Sequence, residues 1–274
     1  MSRLKACFQA LKAQNHAAFV TYIQAGDPNR ELSTEILKGL PGAGVDIIEL
    51  GMPFTDPAAD GPAIDKAAQR ALEAGASMIQ TFEMVREFRA DNAQTPIVLM
   101  GYFNPLYAYG IERFCADAAD AGVDGLIIVD LPPEEDAELR GPANAADIDV
   151  IRLATPTSDK ARLPAVLSGA SGFVYYVAVA GVTGGKSAGA DEIGTAVTRI
   201  KAHTNLPVAV GFGIRTPAQA AAVAAKADAA VVGSAIVDVI ANGVQEDGSV
   251  RPGTLQEVLD ITRQLADGVK TGRK

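Results

Sequence analysis

Short apolar runs alternate with longer amphipathic segments along most of this chain. Segments rich in Ala, Leu, Glu and Lys, with the spacing of amphipathic helices, include 31–40, 111–121, 159–167, 191–202 and 217–226. The apolar runs are typical of strands buried on both faces, and they lie at 18–23, 46–50, 97–100, 125–129, 149–153, 172–177, 207–210 and 229–232. Strands and helices that alternate in this way predict right-handed crossovers and a parallel sheet.

Eight strand–helix units favour a closed (β/α)8 TIM barrel, a fold that typically needs about 250 residues. The sequence Ala-Gly-Val-Asp at 43–46 returns at 121–124, which fits a helix-ending glycine before every second strand. The alternative fold is a doubly wound sheet. The first strand is followed by Gln24-Ala-Gly-Asp-Pro28 in place of a G-x-G-x-x-G turn, which argues against a dinucleotide-binding fold of that kind.

We therefore expect one domain over residues 1–274. An extra N-terminal helix should occupy 1–14, a C-terminal helix should occupy 257–267, and additional short helices should occur elsewhere. The basic tail at 268–274 is expected to be frayed.

Composition narrows the possible functions. The net charge is −9 without a dense basic stripe, which argues against nucleic-acid binding. No apolar run approaches the roughly 18 residues of a membrane span, and the first residues do not resemble a secretion signal. Two cysteines are too few for a disulfide framework, so we expect a cytoplasmic protein. His16 and His203 lack the spacing of metal ligands, and we expect no metal site.

Two carboxylates stand out at the ends of predicted strands, where barrel enzymes place their chemistry. Glu49 interrupts an apolar strand and should point into the barrel mouth if Ile48 and Leu50 face the helices. Asp60 follows on a Gly/Pro-rich loop, a wetter setting that would separate the two pKa values and allow acid–base chemistry. The alternative is that Glu49 pairs with a basic side chain and Asp60 caps the helix after Pro62.

Glycines end the seventh and eighth strands, where barrels commonly bind phosphate. Gly211, Gly213 and Gly233 would allow backbone amides to approach an anion, and a short helix beginning near Ser234 would direct its N-terminus there. These glycines could instead serve only tight turns. The glycine-rich stretch 181–189 is typical of a lid, and Gly184 could supply another amide.

Five motifs at successive strand ends resemble the tryptophan synthase α chain. They are the run Ile48-Glu-Leu-Gly-Met-Pro-Phe-Thr-Asp-Pro-Ala-Ala-Asp-Gly-Pro62, Met100-Gly-Tyr-Phe-Asn-Pro105, Asp130-Leu-Pro132, Ala180-Gly-Val-Thr-Gly184 and Gly211-Phe-Gly-Ile214. The resemblance extends from about Phe19 to the last helix. It implies a carbon–carbon lyase that cleaves indole-3-glycerol phosphate to indole and glyceraldehyde 3-phosphate. It also implies a β subunit in an α2β2 heterotetramer; pyridoxal phosphate (PLP) belongs to that β subunit, and this chain carries no cofactor.

The same resemblance gives roles to individual residues. Glu49 would protonate the indole ring and accept the glycerol hydroxyl proton, and Asp60 would stabilise the positive charge that develops at the indole nitrogen. The implied substrate pocket comprises Tyr22, Met100, Tyr102, Ile127, Val129, Leu153, Tyr175 and Thr183. Val179 and Ala180 depart from the polar or basic pair that many family members carry at these positions.

The residue types agree with this chemistry. Aldol-type cleavage needs a Schiff-base lysine, a metal, or a substrate ring that can hold electrons, and no predicted strand contains a lysine. One alternative is another phosphate-binding barrel enzyme, which should show a lysine or a cysteine–aspartate pair at strand ends. A second is a non-catalytic subunit, which would not need both Glu49 and Asp60.

Apolar and proline-rigid groups on three neighbouring loops predict a surface for the β partner. The proposed contact residues are Pro53, Phe54, Asp56, Pro57, Asn104, Leu106, Tyr107 and Pro132, and Leu131 lies beside them. The alternative is that these side chains fold back over the barrel mouth.

Overall fold

Parallel strands form one sheet in the computed structural model, which describes residues 2–178, 189–211 and 213–273. In chain order the described strands are β1 Ala18–Gln24, β2 Ile47–Gly51, β3 Ile97–Gly101, β4 Gly125–Ile128, β5 Asp149–Val150, β6 Arg152–Ala154, β7 Val174–Val177, β8 Val208–Gly211 and β9 Ala229–Val232. Hydrogen bonds join them in the order β5-β4-β3-β2-β1-β9-β8-β7-β6.

The two strands at the ends of this order are halves of one barrel strand. Only Ile151 separates β5 from β6, and its backbone N–H donates to the Leu126 carbonyl at 2.9 Å. The first half pairs with β4 and the second with β7, so the sheet closes on itself. The predicted TIM barrel is confirmed, with its fifth strand shared between two neighbours.

Helices surround the sheet and confirm the extra N-terminal and short helices. Those described are α1 Arg3–Ala13, α2 Arg30–Gly39, α3 Pro62–Glu73, α4 Met78–Asp91, α5 Phe103–Tyr109, α6 Ile111–Ala121, α7 Ala137–Ala145, α8 Leu163–Val166, α9 Ala190–Lys201, α10 Pro217–Ala224, α11 Ser234–Asn242 and α12 Thr254–Thr271, with a 3-10 turn at Pro41–Ala43. Within the described residues, no helix has the length and apolarity needed to cross a membrane.

The helix expected at 159–167 is much shorter than predicted. Asp159 accepts hydrogen bonds from the backbone N–H groups of Ala161 and Arg162, which holds that segment as a turn. Pro164 has no N–H to donate and is tolerated only in the first turn of a helix, so α8 begins at Leu163.

Side chains alternate between the barrel interior and the helical layer. Inward positions such as Ile47, Val98 and Ile151 form one apolar cluster, which α1 closes from below with Leu4 and Phe8. Ile48 and Leu50, the outward neighbours of Glu49, belong to the separate cluster beneath the helices. Glu49 therefore points into the barrel, as the sequence pattern predicted.

The repeated Ala-Gly-Val-Asp motif ends one element and fixes the start of the next. Gly44 and Gly122 adopt the left-handed conformation, with φ of 94° and 96°, that ends the preceding turn or helix. The following carboxylates then accept backbone N–H groups of the neighbouring strand edge, Asp46 from Phe19 and Asp124 from Ile97, both at 2.8 Å. The motif therefore sets strand register at the bottom of the barrel.

The predicted fraying of 268–274 is wrong for the part of it that the structure describes. Helix α12 continues to Thr271, and Gly268 and Val269 are buried. A side chain at Gly268 would overlap the backbone of Pro217 at the start of α10, so the two helices pack in close contact. Arg273 then donates from Nε to the Ala224 carbonyl at 2.9 Å. Tertiary packing orders a segment that looks like a polar tail in sequence.

Candidate active site

Glu49 lies inside the mouth of the barrel without a charge partner among the described residues. Its side chain is 1% exposed, and neither carboxylate oxygen has a hydrogen-bond partner within the ranges described. Burial alone raises its pKa to about 8. The alternative that Glu49 pairs with a basic side chain finds no support in the described part of the chain. A carboxyl group of this kind holds its proton near neutral pH and can donate it.

Asp60 lies on the loop between β2 and α3 in a less enclosed setting. Burial raises its pKa to about 6, a hydrogen bond from Tyr102 lowers it, and Asp65 raises it slightly. The N-cap of α3 is Gly61, and no side chain caps that helix, so the helix-capping alternative for Asp60 is not what the structure shows. Near neutral pH Asp60 is ionised while Glu49 is protonated, the division that acid–base chemistry requires.

Tyrosines fill the upper layer of the barrel beside these carboxyl groups. The Tyr22 hydroxyl lies over Gly51 and the Tyr175 hydroxyl lies over Gly211, at distances that leave no room for a side chain on either glycine. Burial, followed by the charge of Glu49, raises the pKa of Tyr175 well above its ordinary value. Both phenols therefore stay neutral and can act only through hydrogen bonds or apolar contact.

Apolar side chains complete the wall of the mouth. Met100, Val129 and Leu153 are only partly buried and pack against the top of the interior cluster. Ile127 is fully buried in the same interior cluster and is paired in register with Met100 on the neighbouring strand. Tyr102 lies at the rim, where its hydroxyl accepts the Ala59 N–H at 3.0 Å and so braces the loop that carries Asp60.

Those predicted phosphate residues that the structure describes lie at the ends of β8 and β9. Helix α11 begins at Ser234, with Gly233 as an N-cap that offers no side chain to the helix N–H groups. Gly213 has a φ of 50°, and the structure shows no atom within 4 Å of the position that a Cβ would occupy, which leaves room for an anion. Gly211 differs from the others because its missing side chain makes space for Tyr175. Residues 181–188 of the predicted lid, with Thr183 and Gly184, lie outside the described residues, as do Val179 and Ala180.

The predicted partner surface is only partly exposed. Asp56, Asn104, Tyr107 and Pro132 are exposed, and Pro53, Phe54 and Pro57 are half-buried. Leu106 is fully buried, so its assignment to the interface is wrong. Helix α5 is amphipathic and turns Leu106 into the core and Tyr107, which is 63% exposed, toward solvent. The Phe54 ring lies 5.4 Å from the Tyr102 ring, so this side chain folds back over the mouth.

Two residues that the sequence analysis did not assign to the site support it. Gln24, the last residue of β1, shares the inward face with Tyr22, and strand alternation extended by two positions would have identified it. Asp27 is 1% exposed and accepts two hydrogen bonds from Arg70 of α3, at 2.7 and 2.8 Å. This ion pair fixes α3, and with it the loop that carries Asp60.

The sequence and the fold were compared with known protein families and solved structures, and both match one family. The sequence model of one family, described as tryptophan synthase alpha chain, matches residues 8–268. A solved tryptophan synthase subunit alpha from Legionella pneumophila is 35% identical, with 98% of each chain covered and a TM-score of 0.89. A solved tryptophan synthase from Mycobacterium tuberculosis is 36% identical, with 98% of this chain and 99% of that chain covered and a TM-score of 0.88.

Proposed function

Since this chain belongs to the tryptophan synthase alpha chain family, we propose that it is a lyase that cleaves indole-3-glycerol phosphate to indole and glyceraldehyde 3-phosphate. The observation that carries this proposal is the buried carboxyl of Glu49, which has no partner among the described residues and faces an apolar pocket. A flat aromatic substrate fits the wall of Met100, Val129 and Leu153. A phosphate fits the open glycine positions at the ends of β8 and β9.

The proposed reaction is a retro-aldol cleavage with the substrate ring as electron sink. Glu49 donates its proton to carbon 3 of the indole ring, and the ring nitrogen becomes positively charged. Ionised Asp60 stabilises that charge. Glu49, now ionised, accepts the proton of the adjacent glycerol hydroxyl as the carbon–carbon bond breaks. The bonding electrons return to the ring, which leaves as indole, and the hydroxyl carbon becomes the aldehyde.

The ring itself supplies the electron sink, so the proposal requires no cofactor or metal in this chain. We further propose a PLP-dependent β subunit that consumes the indole within an α2β2 assembly. This partnership is inferred from the family, since the comparison structures include one described as tryptophan synthase from Mycobacterium tuberculosis. We place this activity in the cytoplasm because both cysteines, Cys7 and Cys115, are free thiols.

The test is release of indole from indole-3-glycerol phosphate by the purified chain, with and without a β subunit. Glu49→Gln keeps the size of the side chain and removes the transferable proton, so we expect its cleavage rate to fall by about 10²–10⁴-fold or more. Binding of glycerol phosphate should persist in this variant and serves as the control for folding. Wild-type protein that releases no indole under either condition would refute the proposal, and an active Glu49→Gln enzyme would remove Glu49 from the chemistry.

A further inference from the structure

A buried glutamine sets the direction of one hydroxyl group in the proposed pocket. Gln24 is 2% exposed, and its Nε2 donates to the Gly51 carbonyl at 2.8 Å. A carbonyl can only accept, so this bond fixes the amide and turns Oε1 toward Tyr22. The Tyr22 hydroxyl lies 2.6 Å from that oxygen and must be the donor in the contact.

The hydroxyl held in this way lies close to Glu49. Tyr22 and Glu49 are paired in register on β1 and β2, and both side chains point into the barrel. The hydroxyl lies over Gly51, which follows Glu49 by two residues and so belongs to the same face of β2. The phenol oxygen therefore shares the inward face with the carboxyl group, whose charge acts on Tyr22, while its hydrogen is directed to Gln24.

Other titratable groups surround this pair. They lie on the loop after β1, the loop before α3, helix α3, the end of β3 and strand β7. They are Asp27 with its partner Arg70, Asp60, Tyr102 and Tyr175. Tyr175 is the one other phenol among them that is coupled to Glu49. It has no link to Gln24 among the described hydrogen bonds, so the two phenols can be tested separately.

A hydroxyl without an acceptor at this place would turn to one of the carboxylates whose charges act on Tyr22, of which Asp60 acts most strongly and Glu49 next. Donation to the ionised form of Glu49 would stabilise that form and lower the pKa of the group. The amide of Gln24 removes this option because it provides a competing acceptor at short range. The phenol oxygen keeps its lone pairs, which are then available to accept a hydrogen bond from a donor in the pocket.

We propose that Gln24 is a positioning residue that acts through Tyr22: it holds the hydroxyl hydrogen away from Glu49 and thereby leaves that carboxyl group without a hydrogen-bond donor. The role of this retained proton in catalysis rests on the proposed function. The arrangement of Gln24, Tyr22 and Glu49 is a property of the ligand-free protein and can be tested without substrate. Its consequence is that Glu49 stays protonated near neutral pH, where an unrestrained phenol would favour ionisation.

Gln24→Met is the direct test, because methionine has a similar length and no strong acceptor. The pKa of Glu49 is measured on ligand-free protein by carbon-13 NMR of labelled glutamate, with the resonance assigned by its absence in Glu49→Gln. We expect the pKa to fall from about 8 to about 7 or lower in Gln24→Met. In the double variant Tyr22→Phe/Gln24→Met, which lacks the hydroxyl, we expect it to return to about 8.

The double variant is matched to the single one, because both lose the bond to the Gly51 carbonyl. A Glu49 pKa that stays near 8 in Gln24→Met overturns the proposal. Equal falls in the single and double variants also overturn it, because the effect would then come from general disturbance of the strand end. Tyr175→Phe/Gln24→Met should keep the lowered pKa; recovery there would assign the effect to Tyr175 and overturn the role of Tyr22. These measurements use no substrate, so failure of the cleavage assay would leave their outcome intact.

Discussion

At the scale of single residues, the site depends on two carboxyl groups whose surroundings differ. Glu49 is enclosed by the barrel and has no partner among the described residues, whereas Asp60 is held at the rim by Tyr102. Burial penalises the charged form of both, and more strongly for the enclosed group. This difference produces a pH interval in which one is protonated and the other ionised.

The pH dependence of cleavage should follow from this pair. In the proposed mechanism, activity requires ionised Asp60, which is lost as pH falls through about 6, and protonated Glu49, which is lost as pH rises through about 8. We therefore expect a bell-shaped profile of kcat/KM with limbs near these values. Asp60→Asn should lower the rate strongly and abolish the acidic limb while leaving the alkaline limb. A profile that is flat across this range would contradict both assignments.

Ionisation of Glu49 at high pH should lower the free energy of unfolding. Its pKa is 4.5 in an exposed state and about 8 in the folded protein, so the folded state binds the proton more tightly between these values. Stability from this group is full below about 4.5 and is lost as pH rises to about 8. Relative to wild type, Glu49→Gln should therefore gain about 4 kcal/mol in free energy of unfolding between pH 5 and pH 9. Urea unfolding at the two pH values measures this, and a pH-independent difference would show that Glu49 titrates normally.

At the scale of elements, the turns that follow β8 and β9 together form the proposed phosphate site. Helix α11 begins at the end of β9 with a glycine N-cap, so its first N–H groups have no side-chain acceptor. Such N–H groups and the helix dipole favour an anion. The open backbone at Gly213 lies on the neighbouring loop, which makes these two turns the proposed phosphate site.

Gly213→Val should weaken binding of glycerol phosphate more than binding of an indole analogue. The new side chain would block the backbone from the phosphate, and loss of charged hydrogen bonds should reduce affinity by about tenfold or more. Gly248→Val is the matched control, because Gly248 also has a positive φ and no atoms within 4 Å of an added Cβ. Titration calorimetry with both ligands on both variants gives the comparison. Equal losses for the two ligands would instead indicate a folding defect.

At the scale of the whole molecule, the loops on the active face connect the proposed site to its proposed partner. Asp56 is exposed on the same loop as Asp60, and Tyr107 is exposed on α5. The half-buried ring of Phe54 lies between solvent and Tyr102, which in turn contacts the Asp60 loop. Contact of the proposed partner with these groups would therefore restrain the loop that carries Asp60.

Addition of a β subunit should raise kcat for cleavage, and substrate should tighten the complex by the same coupling, typically about 5–150-fold in affinity. Asp56→Ala and Tyr107→Asp should reduce this response while leaving the fold intact, because both side chains are exposed. Lys12→Asp, an exposed change on α1 below the barrel, is the control and should respond like wild type. If all three variants respond equally, these loops are not the coupling surface. Leu106→Asp is unsuitable because it would place a charge in the core.

The amino-acid sequence by itself determined the barrel and the positions of the two carboxyl groups proposed to be catalytic. Period-two alternation predicted that Glu49 points inward if Ile48 and Leu50 meet the helical layer, and the structure places both of them there. Strand positions followed from apolar runs that depend little on distant contacts. The glycines at the ends of β8 and β9 were equally local signals.

Tertiary structure alone decided which side chains are covered. The apolar loop residues gave no indication that Leu106 is buried while Tyr107 is exposed, since that depends on the side of α5 that meets the core. The tail after residue 268 looked polar, but contact with α10 makes it part of a helix. The raised pKa of Glu49 and the hydrogen bond between Tyr22 and Gln24 also could not be predicted from the sequence. Burial and hydrogen-bond direction depend on groups that are distant in sequence or on precise side-chain placement, and a local pattern contains neither.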